Sequence, residues 1–600
     1  MKSLLMGNEA IALGAVRAGV RVVSGYPGTP STEILEVIAR EARQRPEIYV
    51  EWSVNEKSAL EVAAGAACAG ARALVTMKQV GLNVASDPLM SLNYIGVKGG
   101  LVVAVADDPG PVSSQTEQDT RHFGKYAKLA VFDPASPEEA YTMVADAFAY
   151  SEHYGHPVIL RPTTRICHSY ASVELLEQAP PPKQEAGFKR DNGRWVIFPS
   201  LAYRNHIKIE DDLVHLAEEF SSYSGNVLIG SGVKGIACGG VSYAYTREAL
   251  LDIEAEYKLL KVGTVPFPSN LGLDFLDGLE EVLVIEELDP VIEMELIALC
   301  GQRHVPVKVQ GKRSGDMPLA GENTVALIAE RVRAFLGVAA KALLPDRGID
   351  LPALLARPPV LCAGCPHRGS FFAVKAVIAE QKRKAVFSGD IGCYTLGNAP
   401  PLDMVDTCLC MGAGITMAQG INRVEPDTLN FAFIGDSTFF HTGIPGLINA
   451  VYNQANVIVV ILDNFTTAMT GNQAHPGMGR SATGAAVKKV SIVDMVKAIG
   501  VGELVRASPF ELPSAKEAVK QMLDKTGVRV IIFEGPCIMV QRGAKQRHEI
   551  SRQRCTACGL CVKKLGCPAL SLSTAGAVID PVLCTGCGLC KAFCVFNAID

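Results

Sequence analysis

The chain has 600 residues and a mass of 63.8 kDa, with 48% hydrophobic and 20% charged residues. This suits several packed globular domains and excludes a disordered chain. A net charge of -5 and a pI ≈ 6.2 leave no basic footprint for nucleic acid. No run approaches the roughly 18 apolar residues of a membrane span, and MKSLLMGNEAIALGAVRAG lacks the apolar core and cleavage site of a signal peptide; a cytoplasmic protein with no membrane contact is expected.

Short β-rich apolar runs alternate with Ala-rich helical patterns, which predicts an α/β protein with parallel sheets covered by helices. Pro-rich or charged breaks at 179–195, 343–359 and 541–554 divide it into segments 1–178, 195–342, 355–540 and 550–600. In the first segment, VNEKSALEVAAGAA starts an Ala/Gly-rich helix at Glu56 that leads to the strand ALVTMK. A glutamate there is ordinarily a helix-dipole partner, and Glu51 and Glu61 lie near enough to compete for any chemical role. The second segment carries NVLIGSGV, LLKVGTVPFP and EVLVIEELDP, three buried-strand patterns with no reactive group at their ends. It reads as a scaffold or subunit-contact domain.

The third segment contains NFAFIGDSTFF and, further on, VIVVILDNFTT: two apolar strands ending in Asp436 and in Asp463-Asn464. Polar groups at the carboxyl ends of parallel strands are where open α/β sheets bind ligands. Mg²⁺ prefers oxygen ligands and retains phosphate oxygens. Asp436, the Asn464 amide and a main-chain carbonyl near Thr466 could supply three, with Gly435 and Ser437 leaving room for a diphosphate. Gly435 to Asn464 spans 30 residues, a spacing that resembles the thiamine-diphosphate-binding motif.

Eight of the 18 cysteines crowd into the last 46 residues, which in a cytosolic chain points to metal ligation rather than disulfides. Cys555, Cys558 and Cys561 form one triplet with Cys567 after a long gap; Cys584, Cys587 and Cys590 form a second, followed by Cys594. A zinc ribbon would use two Cys pairs. Triplets at this spacing suit two [4Fe–4S] clusters in which the fourth cysteine of each run ligates the other cluster. One set is then Cys555, Cys558, Cys561 and Cys594, and the other Cys584, Cys587, Cys590 and Cys567.

Together, VVSGYPGTPSTEI, VNEKSALEVAAGAA, CAGCPHRG, GDIGCYTLG, GDSTFFHTGIPGL, DNFTTAMTGNQAHPG and the tail resemble the 2-oxoacid:ferredoxin oxidoreductases, most closely their indolepyruvate-oxidising branch. The resemblance runs through nearly the whole chain. It implies a pyrimidine-binding domain at 1–178, a transketolase-C-terminal-like domain at 195–342, a pyrophosphate- and Mg²⁺-binding domain at 355–540, and an α+β two-cluster ferredoxin domain at 550–600. Glu56 would protonate or hydrogen-bond N1′ of thiamine diphosphate, and Thr29 and Arg121 would contact the substrate carboxylate. Cys362, Cys365, Cys393 and Cys537 match the order of a third, proximal cluster in related enzymes. Ordinary buried thiols, as expected of Cys68 and Cys300, or a redox-active C-x2-C stay open as alternatives. His367, His441 and His475 lie in the same loops as either active-site or structural histidines.

The implied reaction is oxidative decarboxylation of arylpyruvates with coenzyme A to arylacetyl-CoA, with ferredoxin as electron acceptor. A smaller partner subunit in an α2β2 assembly is expected. The competing readings are pyruvate, 2-oxoglutarate or branched-chain substrates, or a non-catalytic electron-transfer subunit, against which the intact Glu56, Asp436 and Asn464 speak.

Overall fold

The structure is a computed structural model and describes residues 2–176, 187–339, 354, 355, 357–541 and 546–600. Residues 179–186, most of 343–359 and 542–545 of the predicted breaks lie outside the described residues. The chain divides into two compact units, Met1–Ile349 and Asp350–Asp600.

The first unit has strands β1 (Lys2–Met6), β2 (Val22–Gly25), β3 (Tyr49–Trp52), β4 (Ala73–Lys78), β5 (Leu101–Ala106), β6 (Ala130–Phe132), β7 (Val158–Leu160) and β8 (Tyr170–Glu174). They are followed by β9 (Val227–Gly230), β10 (Lys234–Gly239), β11 (Lys258–Val262), β12 (Thr264–Val265), β13 (Glu281–Ile285) and β14 (Lys308–Gln310). A seven-stranded sheet runs β12-β6-β7-β5-β4-β2-β3 and a five-stranded one β14-β13-β10-β11-β9, while β1 and β8 form an antiparallel pair. Each large sheet is parallel except at one edge strand. All six residues of β5, LVVAVA, are buried, the continuous apolar run of a parallel strand covered on both faces. The predicted segments 1–178 and 195–342 do not fold apart. β12, from the second, pairs antiparallel with β6 of the first, so one sheet is completed by both.

The second unit has β15 (Ala385–Ser388), β16 (Leu429–Gly435), β17 (Ile458–Asp463), β18 (Glu503–Ala507) and β19 (Arg529–Glu534), in the order β15-β16-β17-β19-β18. All four pairings are parallel. The sheet's carboxyl edge therefore gathers the loops that begin at Gly389, Asp436, Asn464 and Gly535. The tail adds an antiparallel hairpin of β20 (Leu570–Ser573) and β21 (Gly576–Ile579), and its end returns to pair Ile550 with Ile599.

Candidate active site

In the first unit, Asn55 caps the helix Glu56–Cys68 by accepting from the Ser58 N–H at 2.8 Å, which places Glu56 in the first turn. Glu56 is buried, at 5% exposure. Gly81 lets this happen, because a Cβ there would stand 2.6 Å from Glu56 Oε1. The competing glutamates are committed elsewhere. Glu51 accepts from Tyr49 and Ser53, and Glu61 pairs with Lys57 on the exposed helix face.

Thr29 lies half-buried in the loop after β2, with its carbonyl accepting from Ser113 Oγ at 3.0 Å. Beside it is a residue that sequence reasoning missed. Lys78, the last residue of β4, passes over Gly28, where a Cβ would meet its stem at 2.9 Å, and donates to the Ser113 carbonyl at 2.8 Å. Burial lowers the Lys78 pKa against the opposing pull of Asp108 and Glu56. Among the described residues no carboxylate pairs with it, so a half-buried ammonium with three N–H groups has one acceptor. The signal was available in the sequence, in the cation ending an otherwise apolar strand.

Arg121 takes a different place from the one the sequence reading gave it. Its guanidinium holds Asp119 at 2.6 Å and Glu286 at 2.7 Å, and also donates to the carbonyls of Glu287 and Asp289. All three charged residues are buried. The fork thus ties the segment after β5 to the segment after β13 instead of facing a substrate. Arg121→Ala should cost about 3–5 kcal/mol, because it strands two buried carboxylates. Denaturant unfolding checks this, and unchanged stability would show that the network does not hold the unit together.

In the second unit, Asp436 opens a short turn of helix after β16 and is 2% exposed. It accepts from the N–H groups of Ser437 at 2.7 Å and Asn464 at 3.1 Å, and His475 Nε2 stands 3.2 Å away. Burial pushes its pKa up, but His475 and the Ser437 N–H outweigh this and leave it lowered. Asp463 is pushed up to about 7 by burial and by the Asp436 charge. Two adjoining buried carboxyl groups that resist joint ionisation suit a divalent cation between protein and phosphate. The Asn464 amide lies 3.3 Å from His367 Nε2, and its oxygen accepts from the Thr466 N–H at 3.1 Å. Phe465 between them has φ 63°, unusual for a bulky residue and typical of strained ligand loops. His367 is buried with Nδ1 unpartnered, a donor or acceptor left for a bound group. Thr467 donates to Ser437 Oγ at 2.9 Å.

Gly435 lies against an aromatic ring. A Cβ there would meet Tyr394 at 2.5 Å, so its bareness admits this ring. Asp390, which sequence reasoning also missed, is fully buried and accepts from the N–H groups of Ile391, Gly412 and Gly414. Burial nevertheless pushes it up to about 7. His441 lies on a π-turn, Phe439–Gly443, and contacts Thr442 Oγ1 at 3.1 Å.

Cys362, Cys365, Cys393 and Cys537 come together beside this edge. Cys365 lies within electrostatic reach of Cys362 and Cys393, and Cys393 within reach of Cys362 and Cys537. Cys393 and Cys537 also feel the Asp436 charge. The Cys537 N–H donates to the Asn464 carbonyl at 3.0 Å. Burial first, and the neighbouring thiols second, push Cys365 up to about 12 and Cys393 up to about 11. Crowded thiols of that kind ionise when they bind a metal centre.

In the tail, Cys555, Cys558, Cys561 and Cys594 line one open pocket, and Cys567, Cys584, Cys587 and Cys590 line another. This is the crossed grouping. The thiols stand around the pocket walls; among the described residues no three His, Cys, Asp or Glu side chains form a single-ion site. CTACGLC and CTGCGLC repeat each other, and Ala557 (φ 56°) matches Gly586 (φ 69°) in the left-handed bend that curls each loop.

Two family models match the chain: "Pyruvate flavodoxin/ferredoxin oxidoreductase, thiamine diP-bdg" over residues 13–205 and "Thiamine pyrophosphate enzyme, C-terminal TPP binding domain" over 390–533. Both halves of a thiamine-diphosphate-dependent oxidoreductase are therefore represented. Over 606 residues the chain is 40% identical to indolepyruvate oxidoreductase subunit IorA of Methanothermobacter thermautotrophicus, covering 100% of this chain and 97% of that one. It is likewise 40% identical over 632 residues to the subunit of that name from Thermococcus kodakarensis, covering 100% and 96%. The chain belongs to the indolepyruvate oxidoreductase IorA-subunit family. The 2-oxoglutarate synthase subunit KorA of Methanocaldococcus jannaschii is 29% identical over 180 residues, covering 28% of this chain and 48% of that one.

Proposed function

We propose that this chain is the catalytic subunit of an enzyme that oxidatively decarboxylates arylpyruvates, indolepyruvate among them, with coenzyme A. The products are arylacetyl-CoA and CO2, and ferredoxin takes the electrons singly. The observation that carries this reading is the meeting of Asp436, Asn464 and four thiols along one carboxyl edge of a parallel sheet. Relatives named for indolepyruvate align along the entire chain, whereas the 2-oxoglutarate relative aligns with 28% of it, which favours arylpyruvates.

Thiamine diphosphate supplies the electron sink for decarboxylation when bound, and [4Fe–4S] clusters supply one-electron carriage. Asp436, Asn464 and the Thr466 carbonyl would hold Mg²⁺, with Ser437 beside the diphosphate. Glu56 would hold a proton at aminopyrimidine N1′. The two tail sets would each hold a cluster, making residues 550–600 a two-cluster ferredoxin-type domain. Cys362, Cys365, Cys393 and Cys537 would hold a third. A smaller second subunit would complete an α2β2 assembly in the cytoplasm. None of the 18 cysteines is in a disulfide, in keeping with a reducing compartment, and among the described residues no helix is long and apolar enough to cross a membrane.

The substrate carboxylate falls to Thr29 and Lys78, since Arg121 is already engaged. Lys78→Met should raise KM for the 2-oxoacid about tenfold with a much smaller change in kcat, as expected for loss of a binding contact. A fall in kcat at unchanged KM would remove Lys78 from this role.

Co-expression with the smaller subunit and reduction assays across four 2-oxoacids test the whole reading. Indolepyruvate and phenylpyruvate should exceed pyruvate and 2-oxoglutarate in kcat/KM by about tenfold or more. A preference for pyruvate would overturn the substrate assignment. No turnover and no bound thiamine would favour a non-catalytic electron-transfer subunit.

A further inference from the structure

The long gap between Cys561 and Cys567 leads to a buried charge. After the helix Leu560–Leu565, the chain turns through Gly566 (φ 61°) and presents the carbonyls of Leu565 and Gly566 to Arg368, at 2.9 and 2.8 Å. Arg368 also donates to the Leu361 carbonyl at 2.5 Å, and its Nε has no partner. The side chain is 3% exposed, and among the described residues no carboxylate pairs with it. A buried guanidinium held by three neutral carbonyls lacks compensation for its charge.

The groups that surround it supply the answer. The guanidinium lies within electrostatic reach of the thiols of Cys567 and Cys587 from the tail and of those of Cys365 and Cys362. The backbone around it is closely packed. Gly364, between Cys362 and Cys365, has no room for a Cβ, which would stand 2.0 Å from Thr585 Oγ1, and Gly364 also lines the pocket of Cys567 and Cys587. Cubanes carried on four thiolates are anionic, and their negative charge grows on reduction.

We infer that Arg368 is the shared counter-charge of two iron–sulfur sites, the one at Cys362 and Cys365 and the one at Cys567 and Cys587, and that it sets their reduction potentials. This rests on the cluster reading proposed above. A fixed positive charge favours the more negative, reduced state, so it raises both potentials. The extra residues before Cys567 then have a use: they carry the two carbonyls that clamp Arg368. The thiols of Cys555 and Cys558 are not among the strongest electrostatic neighbours of this charge, so their site serves as an internal control.

The test is potentiometric EPR titration of the complex of both subunits, prepared anaerobically as wild type, Arg368→Gln and Arg368→Lys, with iron counted in each. Arg368→Gln should make reduction of the affected clusters about tenfold less favourable, a shift of about 59 mV to more negative potential. The component assigned to Cys555 and Cys558 should stay in place, and Arg368→Lys should hold most of the wild-type potential. If Arg368→Gln loses iron, retention of iron and potential by Arg368→Lys supports the charge role. Equal shifts in both variants, iron loss in both, or no shift in either would overturn the inference. Wild-type iron of about eight atoms per chain instead of about twelve would remove the proximal cluster. It would leave the prediction for the cluster of Cys567 intact, so failure of the reading and of the inference can be told apart.

Discussion

Glu56→Gln should lower kcat/KM by about 10²–10⁴-fold while the chain stays folded and retains thiamine diphosphate. The substitution is nearly isosteric, so Asn55 still caps the helix and the side chain still lies against Gly81. What disappears is an ionisable carboxyl group in a buried first turn, and with it the proton that the proposed role would hold at N1′. Viologen reduction by indolepyruvate measures the loss, and bound-thiamine analysis separates chemistry from binding. Glu51→Gln is the control: Glu51 is committed to Tyr49 and Ser53, so its loss should change turnover less than twofold or so. Normal turnover by Glu56→Gln, or a severe defect in Glu51→Gln, would move the role.

Cys567→Ser and Cys594→Ser should each disrupt the cluster of the other triplet. By chain position Cys567 belongs with Cys561, but it lines the pocket of Cys584, Cys587 and Cys590, and Cys594 lines that of Cys555, Cys558 and Cys561. Cys567→Ser should therefore match Cys584→Ser in iron loss, about four atoms per chain at most, and in the EPR component that vanishes. Cys594→Ser should match Cys555→Ser. With the proposed clusters acting in series, either change should cut ferredoxin reduction more than tenfold while leaving bound thiamine unchanged. If Cys567→Ser instead matched Cys555→Ser, each loop would close its own cluster and the crossed grouping would be lost.

The legible parts of this molecule were those where local chemistry and chain position agree. The strands ending in Asp436 and Asn464 could be read because a wholly apolar parallel strand stops abruptly at a polar residue. The gathering of the tail cysteines into two groups could be read because cysteine spacing is itself the geometry of the loop. Arg121 was harder. An arginine suited to a carboxylate is equally suited to Asp119 and Glu286, and Glu286 is supplied from 165 residues further along the chain. The closeness of Tyr394 to Gly435 was not legible either, since the ring reaches it only through packing. The division into segments also went too far, since two-residue β12 carries too little pattern to reveal that it completes the sheet of the first segment. Arg368 escaped notice for another reason: among the described residues no carboxylate pairs with it, which only the folded surroundings disclose.

In the proposed function, 2-oxoacid oxidation on this chain delivers electrons to its own cysteine-held clusters. Anaerobic mixing of the complex with indolepyruvate and coenzyme A, followed by freezing and EPR, measures that directly. The expected result is the signal of reduced [4Fe–4S] clusters without any added reductant, dependent on thiamine diphosphate and missing in Glu56→Gln. Clusters that dithionite reduces but that no 2-oxoacid reduces, in a complex carrying full thiamine and iron, would contradict it.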